Sequence, residues 1–325
     1  MLSENNLSHA YSAKQFLSIL ALLLFASCLL FMTYGVKGGW DFVLMLRGKK
    51  LLMLLTVAYA VGVSTLLFQT LTNNNILTPG LMGYDSLYLL LQTVLVFVLG
   101  ATGFTLLGTI GKFSIEVPLM IFASILLFRT LNQQSDGDLA RLILVGMIFG
   151  VMFRSLNSLL QRMLDPAAFT VAQIQYFAQF TSVNIKLLSI GIVIMPLSAI
   201  WIWRMRFRLD VLLLGRNAAT ALGLDYLHVC RTVLLWIALL VSLATALVGP
   251  VSFFGLLVCA LVNITTPYMA HSIRIPAVFM MSAIVLVFGQ TLFEHMLGMQ
   301  GVLSVIIELL GGIVFLWLVL KPQHR

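Results

Sequence analysis

The chain has 325 residues, of which 61% are hydrophobic and only 9% are charged, and its mean hydropathy is +1.06. A soluble domain commonly carries about 25% charged residues, so this composition excludes an ordinary soluble globular protein. The net charge of +8 is not gathered into a basic, aromatic-rich patch, so we interpret it as a membrane-orientation signal and expect no nucleic-acid partner.

Apolar runs recur from one end of the chain to the other. They are about 18–20 residues long, the length that a helix needs to cross a hydrocarbon core, and lipid requires each span to satisfy its own backbone as a helix. We therefore predict an all-α polytopic membrane protein with a single transmembrane domain over residues 1–325. About ten spans are expected, at residues 16–34, 50–71, 83–101, 114–130, 140–160, 183–203, 228–248, 253–270, 276–297 and 302–320.

The first run contains Phe25-Ala26-Ser27-Cys28, which faintly resembles a lipoprotein cleavage box. The apolar stretch continues past Cys28, whereas the apolar core of a signal peptide ends at its cleavage site, so we predict a retained first span. Cys230 and Cys259 also lie in apolar segments without a CxxC pair. We expect buried thiols and no metal site.

Lys and Arg in the loops indicate the orientation of the chain. The arginines between Arg204 and Arg231 favour a cytoplasmic loop there, and this places both termini in the cytoplasm. The same topology leaves a second basic cluster, Lys37 to Lys50, outside the membrane. That position runs against the usual distribution of positive charge and requires an explanation.

The segment from Arg47 to Gly83 is the most specific pattern in the chain. Arg47, Lys49 and Lys50 precede the second span, Gln69-Thr70 stands near its end, an asparagine-rich turn follows, and Pro79-Gly80-Leu81-Met82-Gly83 starts the next span. This order of features resembles the FecCD-type permeases, which import iron–siderophores, haem and cobalamin. Asn, Pro and Gly are typical of a chain reversal, so a plain turn between helices is the alternative to a lining for the cytoplasmic mouth of the pathway.

Two later segments are similar to the same family. Residues 214–224 look like its cytoplasmic loop that engages an ATPase, and residues 249–258 look like its Gly-Pro-Ile-x-Phe-x-Gly-Leu motif. The chain departs from the family pattern at Cys259, Ala260 and Asn263, where many members carry a Pro-His pair and an Arg, and at residues 298–301. These departures argue against cobalamin as the substrate, and the ending Glu308 to Leu316 looks like a siderophore branch, often for catecholates.

The resemblance implies a fold like that of type II ABC importer permeases, in a bacterial inner membrane. It implies docking of a periplasmic binding protein at Arg47 and Lys50, to which we add Lys49; anchoring to outer-leaflet lipid is the alternative. It also implies that a short helix rich in small residues contacts the ATPase, where an ordinary interfacial helix is the alternative. The expected coupling residues are Leu214, Gly215, Arg216, Ala218, Ala219, Ala221, Leu222 and Gly223.

Polar residues within or beside the spans are candidates for the pathway or its gate. Charges within a span are costly and by default suggest function, although long side chains near a helix end can reach the interface instead. A solvated loop helix is the alternative for Gln175. Gly146 and Gly150 allow close helix packing, either within the chain or at a subunit interface. The candidates are Gln69, Asn73, Asn74, Asn75, Arg154, Asn157, Gln175 and Glu308.

No phosphate-binding G-x-x-x-x-G-K-[ST] motif occurs, so we expect this chain to bind no cofactor and to perform no catalysis itself. ATP-Mg would then be bound by two cytoplasmic ATPase subunits. The other expected partners are a second permease, identical or paralogous, a periplasmic siderophore-binding protein and membrane lipid, with a ferric siderophore as substrate. The alternatives are an ion-gradient-driven transporter and a haem or cobalamin permease of the same family; a membrane-embedded enzyme lacks any motif.

Overall fold

The computed structural model describes residues 2–35, 40–134, 139–180, 183–265, 270–296 and 303–320. This part of the chain is built from α-helices, with one 3₁₀ turn at Gly80–Met82. The helices are α1 Leu2–Thr33, α2 Trp40–Thr72, α3 Tyr84–Leu106, α4 Gly108–Gln134, α5 Leu139–Met163, α6 Pro166–Ile174, α7 Ile185–Leu212, α8 Arg216–Ala221, α9 Tyr226–Val248, α10 Phe254–Thr265, α11 His271–Met296 and α12 Leu303–Leu320.

Each predicted span overlaps one of these helices, and the two short helices α6 and α8 lie in predicted connectors. The connectors are shorter than expected, because α2 already begins at Trp40 and α7 continues to Leu212. Seven helices of the described chain are long and apolar enough to cross a membrane, namely α1, α2, α3, α5, α7, α9 and α11. Helix α10 and the apolar part of α12 are shorter. The predicted cytoplasmic location of the two termini concerns Met1 and Arg325, which lie outside the described residues.

Local sequence explains where several helices begin. Asp165, Asn184 and Asp225 precede α6, α7 and α9, and each side chain accepts a hydrogen bond from a backbone N–H of the first turn. Such caps satisfy amide groups that a helix leaves unpaired at its start. The caps set the ends of the connectors that carry the candidate sites.

Helix α2 forms the centre of the bundle. It packs against α1, α7, α9, α10 and α11, and 78% of an 18-residue apolar window of α2 is buried, compared with 17% of the corresponding window of α1. A helix that is apolar on all sides is expected in such a position. Small residues let its neighbours approach: a Cβ on Gly255 of α10 would lie 2.8 Å from the Cβ of Thr65.

The pair Gly146 and Gly150 packs within the chain. A Cβ on Gly150 would lie 3.1 Å from the Cα of Gly83, the residue before α3. Gly83 has φ +97°, a conformation that side chains disfavour. Because Gly150 lies in the middle of α5, α3 begins against the middle of a neighbouring helix. Residues 73–83 therefore connect the end of α2 to a point beside the middle of α5. The prediction of intrachain packing is thus the one that the structure supports.

Candidate coupling, docking and pathway sites

Helix α8 is a short element bounded by two glycines with positive φ. Gly215 precedes it with φ +86° and Gly223 follows it with φ +81°. The N–H of Gly215 donates to the carbonyl oxygen of Leu212 at 3.1 Å, which ties the start of α8 to the last turn of α7. Glycine accepts these backbone angles without steric cost, so the sequence ends one helix and starts the next within a few residues.

The α8 segment presents small and apolar side chains to the outside. Leu214 and Leu222 are 60% and 65% exposed, and Ala218 and Ala221 are exposed between them. Ala219 is fully buried, and α8 packs against α7 and α9. The predicted coupling residues therefore divide into an outward surface and an inward anchor.

The predicted docking residues are engaged inside the chain. Nη1 of Arg47 donates to the backbone carbonyls of Phe31 and Tyr34, both at 2.8 Å, and so covers the end of α1. Lys50 forms an ion pair with Glu294 of α11, and both side chains are about nine-tenths buried. Lys49, which lies between Arg47 and Lys50 in the sequence, is half-buried. Sequence reasoning did not find the pairing of Lys50, because its partner lies 244 positions further along the chain.

Residues Asn73–Asn75, here called the asparagine turn, are held by the end of α2. Asn73 adopts φ +46°, as the tolerance of Asn for left-handed backbone predicts. Nε2 of Gln69 donates to the carbonyl oxygen of Asn75 at 2.7 Å, and the side chain of Asn74 accepts from the N–H of Ile76 at 2.9 Å. Asn73 and Asn75 remain exposed, so the turn is fixed from one side and presents polar groups on the other.

One predicted pathway residue, Asn157, lies where α5 faces the segment after α6. Asn157 and Gln161 both donate to the phenolic oxygen of Tyr176, the residue after Gln175. Burial raises the pKa of the Tyr176 phenol. Arg154 is exposed on α5 and approaches Ser86 Oγ at 3.4 Å. Gln175 lines a neighbouring cavity of about 140 Å³, together with Tyr88, Gln179 and Gly249 among others.

A buried acid escaped the sequence analysis. Asp85 lies in the first turn of α3, is 8% exposed and accepts a hydrogen bond from Ser252 of the loop before α10. Gly80 allows this approach, because a Cβ there would lie 3.1 Å from the Asp85 carboxyl carbon. Glu308 lies on α12, which packs against α10 and α11, and its side chain is partly buried.

Within the described residues, no group of three or more His, Cys, Asp and Glu side chains could hold a metal ion. Several of the polar side chains described above bind one another or the backbone between helices. A bundle of long apolar helices of this kind is a multi-pass membrane protein.

The comparisons with known proteins place the chain in a family. The FecCD transport family model matches residues 12–321, and the chain belongs to this family. It is 40% identical over 294 residues to the petrobactin import system permease protein YclO of Bacillus subtilis, covering 90% of this chain and 93% of that protein. It is 35% identical over 262 residues to the petrobactin permease FatC of Bacillus anthracis, covering 81% and 74% of the two chains.

A solved structure shares the fold. It is the inward-facing conformation of a metal-chelate type ABC transporter, and it superposes with a TM-score of 0.82 over 95% of this chain and 100% of that chain, at 22% identity. The identity is low, so this likeness concerns the fold alone. The predicted family resemblance is confirmed, and the family implies a transporter complex with ATPase and substrate-binding partners.

Proposed function

We propose that the chain is the permease subunit of an ATP-driven importer that moves a ferric siderophore across the bacterial inner membrane. The observation that carries the proposal is the match to a petrobactin permease at 40% identity over 90% of the chain. Two such relatives favour a siderophore over haem or cobalamin as the substrate. Membership of an ABC permease family disfavours an ion-gradient-driven transporter.

The α8 segment is the proposed ATPase contact. Exposed leucines at positions 214 and 222 flank exposed alanines, so a partner surface can approach the helix backbone closely. An exposed apolar surface in a connector outside the membrane spans is typical of a protein–protein contact. Closure of the ATPases would then push α8 and, through it, the end of α7.

The proposed pathway runs along α5, between this chain and a second permease. Arg154, Ser155 and Ser158 are exposed on α5 among apolar side chains. An exposed charge facing lipid is costly, so this face is better accommodated against water and a second subunit. The asparagine turn is the proposed cytoplasmic gate. Ten spans in one domain and cytoplasmic termini complete the proposed topology.

The proposed docking site for the binding protein is the outer end of α2. Lys49 and Arg47 are the contact residues: Arg47 uses Nη1 for the carbonyls of α1, and a guanidinium has five N–H donors, so others can meet an acidic partner. Lys50 is assigned a structural role instead, because its charge is balanced by Glu294.

Purification of the chain from native membranes in mild detergent tests the proposal. We expect stoichiometric recovery of a P-loop ATPase, and a purified complex whose ATP hydrolysis rises with the iron-loaded binding protein. Recovery of the permease without any ATPase, together with proton- or sodium-driven uptake, would contradict it.

A further inference from the structure

A buried histidine joins three helices at one end of the bundle. His271 is the first residue of α11 and has no exposed surface. Its Nδ1 lies 2.6 Å from Oδ1 of Asp210 in the last turn of α7, and its Nε2 lies 2.7 Å from Oγ1 of Thr70 in the last turn of α2. One imidazole therefore holds the ends of α2 and α7 against the start of α11.

The contact with Thr70 goes beyond what helix capping requires. The Asp210 carboxylate already accepts from the backbone N–H of His271 at 2.8 Å, at a helix start where a negative charge is favoured. The Thr70 hydroxyl already has a partner in its own helix, the carbonyl oxygen of Leu66 at 2.9 Å. The contact between ring and hydroxyl is not needed to cap either helix, and its consequence is a rigid connection between them.

Each end of this connection leads to a segment with a proposed role. Asp210 lies one turn before Gly215, whose N–H is bonded to Leu212 and which starts α8. On the other side, the carbonyl oxygen of Thr70 accepts from the N–H of Asn73 at 3.3 Å, in the asparagine turn. The coupling helix and the proposed gate are thus linked through two helix ends and one imidazole.

We propose that Thr70, Asp210 and His271, together called the latch, transmit the movement of α8 to the asparagine turn. The inference rests on the proposed function, in which an ATPase pushes α8 and the turn gates the pathway. Apolar side chains can slide past one another. Hydrogen bonds, in contrast, are directional, and a buried polar group that loses its partner costs free energy. A displaced α7 end therefore moves the start of α11 and the end of α2 with it. The three are positioning residues and need no contact with substrate.

The test measures import and ATP hydrolysis in the same sample of the complete transporter, purified and reconstituted in liposomes with its binding protein. Thr70→Val keeps the side-chain shape and removes the hydroxyl, and Thr70→Ser restores the hydroxyl. Thr72→Val is the matched control, because the Thr72 hydroxyl bonds within α2, to the carbonyl oxygen of Phe68 at 2.8 Å. Asp210→Asn perturbs the latch from its other side at constant size.

We expect Thr70→Val and Asp210→Asn to retain ATP hydrolysis while the amount of substrate imported per ATP falls about five-fold or more, the range of a typical coupling free energy. Thr70→Ser and Thr72→Val should keep the parental ratio. A parental ratio in both latch variants would overturn the inference, and so would loss of assembly in both, which would assign the cluster to folding alone. Failure of the proposed function would be seen separately, as a parent complex that imports no ferric siderophore.

Discussion

The ion pair between Lys50 and Glu294 separates a structural role of the outer basic cluster from a docking role. Both side chains are about nine-tenths buried, and Gln290 also donates to the Glu294 carboxylate, at 2.8 Å. Removing one partner of a buried pair leaves an uncompensated charge, which typically costs about 3–5 kcal/mol. An exposed docking lysine would contribute about 0–1 kcal/mol to stability. We therefore expect Lys50→Met to destabilise the permease by about 3–5 kcal/mol, a large part of a typical stability of about 5–15 kcal/mol.

The charge swap Lys50→Glu with Glu294→Lys tests the same reasoning further. It restores a buried pair of opposite charges, so thermal unfolding of the purified complex should return toward the parental temperature and uptake should recover with it. Lys50→Glu alone places two acids side by side and should lose both. A swap that unfolds like the parent but imports nothing would refute the reasoning, because the positive charge at position 50 would then be needed by a partner.

Three further predictions follow from the exposure and contacts of single residues. Ala218→Glu should leave the free energy of unfolding within about 0.5 kcal/mol of the parental value, as surface changes usually do, yet it should abolish ATP-driven import. Ala219→Glu should instead prevent folding, because that side chain is fully buried. Normal import by Ala218→Glu would exclude α8 as the coupling element. Lys49→Glu should slow association with the binding protein and weaken its salt dependence, measured by surface binding at low and high salt, and an unchanged rate at low salt would exclude docking at this position. Gly150→Ala should destabilise the complex by about 1–3 kcal/mol through overpacking against Gly83. Gly312→Ala serves as its control, because a Cβ there has no neighbour within 4 Å. Equal melting temperatures of the two variants would contradict the packing of α3 on α5.

Properties that depend on local sequence were predictable. Hydropathy and length indicate the spans, because a helix in lipid must be apolar over its whole crossing. Gly215 and Gly223 indicate the ends of α8, and both adopt a positive φ, which glycine accepts more readily than other residues. The tolerance of Asn for positive φ is likewise seen at Asn73.

Contacts between distant parts of the chain were not predictable from one sequence. Lys50 and Glu294 are 244 positions apart, and Thr70 and His271 are 201 positions apart. Hydropathy shows that a polar residue near a span is costly, but it does not show which residue pairs with it. Asp85 could have been noticed as an acid next to the Pro-Gly start of a span; its partner Ser252 follows only from the fold.

The depth at which α3 begins was also beyond the sequence. The pattern of Pro79, Gly80 and Gly83 predicts a reversal between two spans, which is what the chain makes. Only packing shows that the reversal ends against Gly150, in the middle of α5.

ATP-driven import of a ferric siderophore is the central claim, and reconstitution tests it most directly. The permease, with the proposed second permease and ATPases, is placed in liposomes containing ATP and Mg²⁺. Iron-labelled siderophores are added outside one at a time, together with the binding protein. The account predicts that label from at least one ferric siderophore accumulates, that this requires internal ATP, and that it stops with Ala218→Glu. Accumulation that follows an imposed proton or sodium gradient without ATP, or none with any iron chelate while haem or cobalamin is imported, would contradict it.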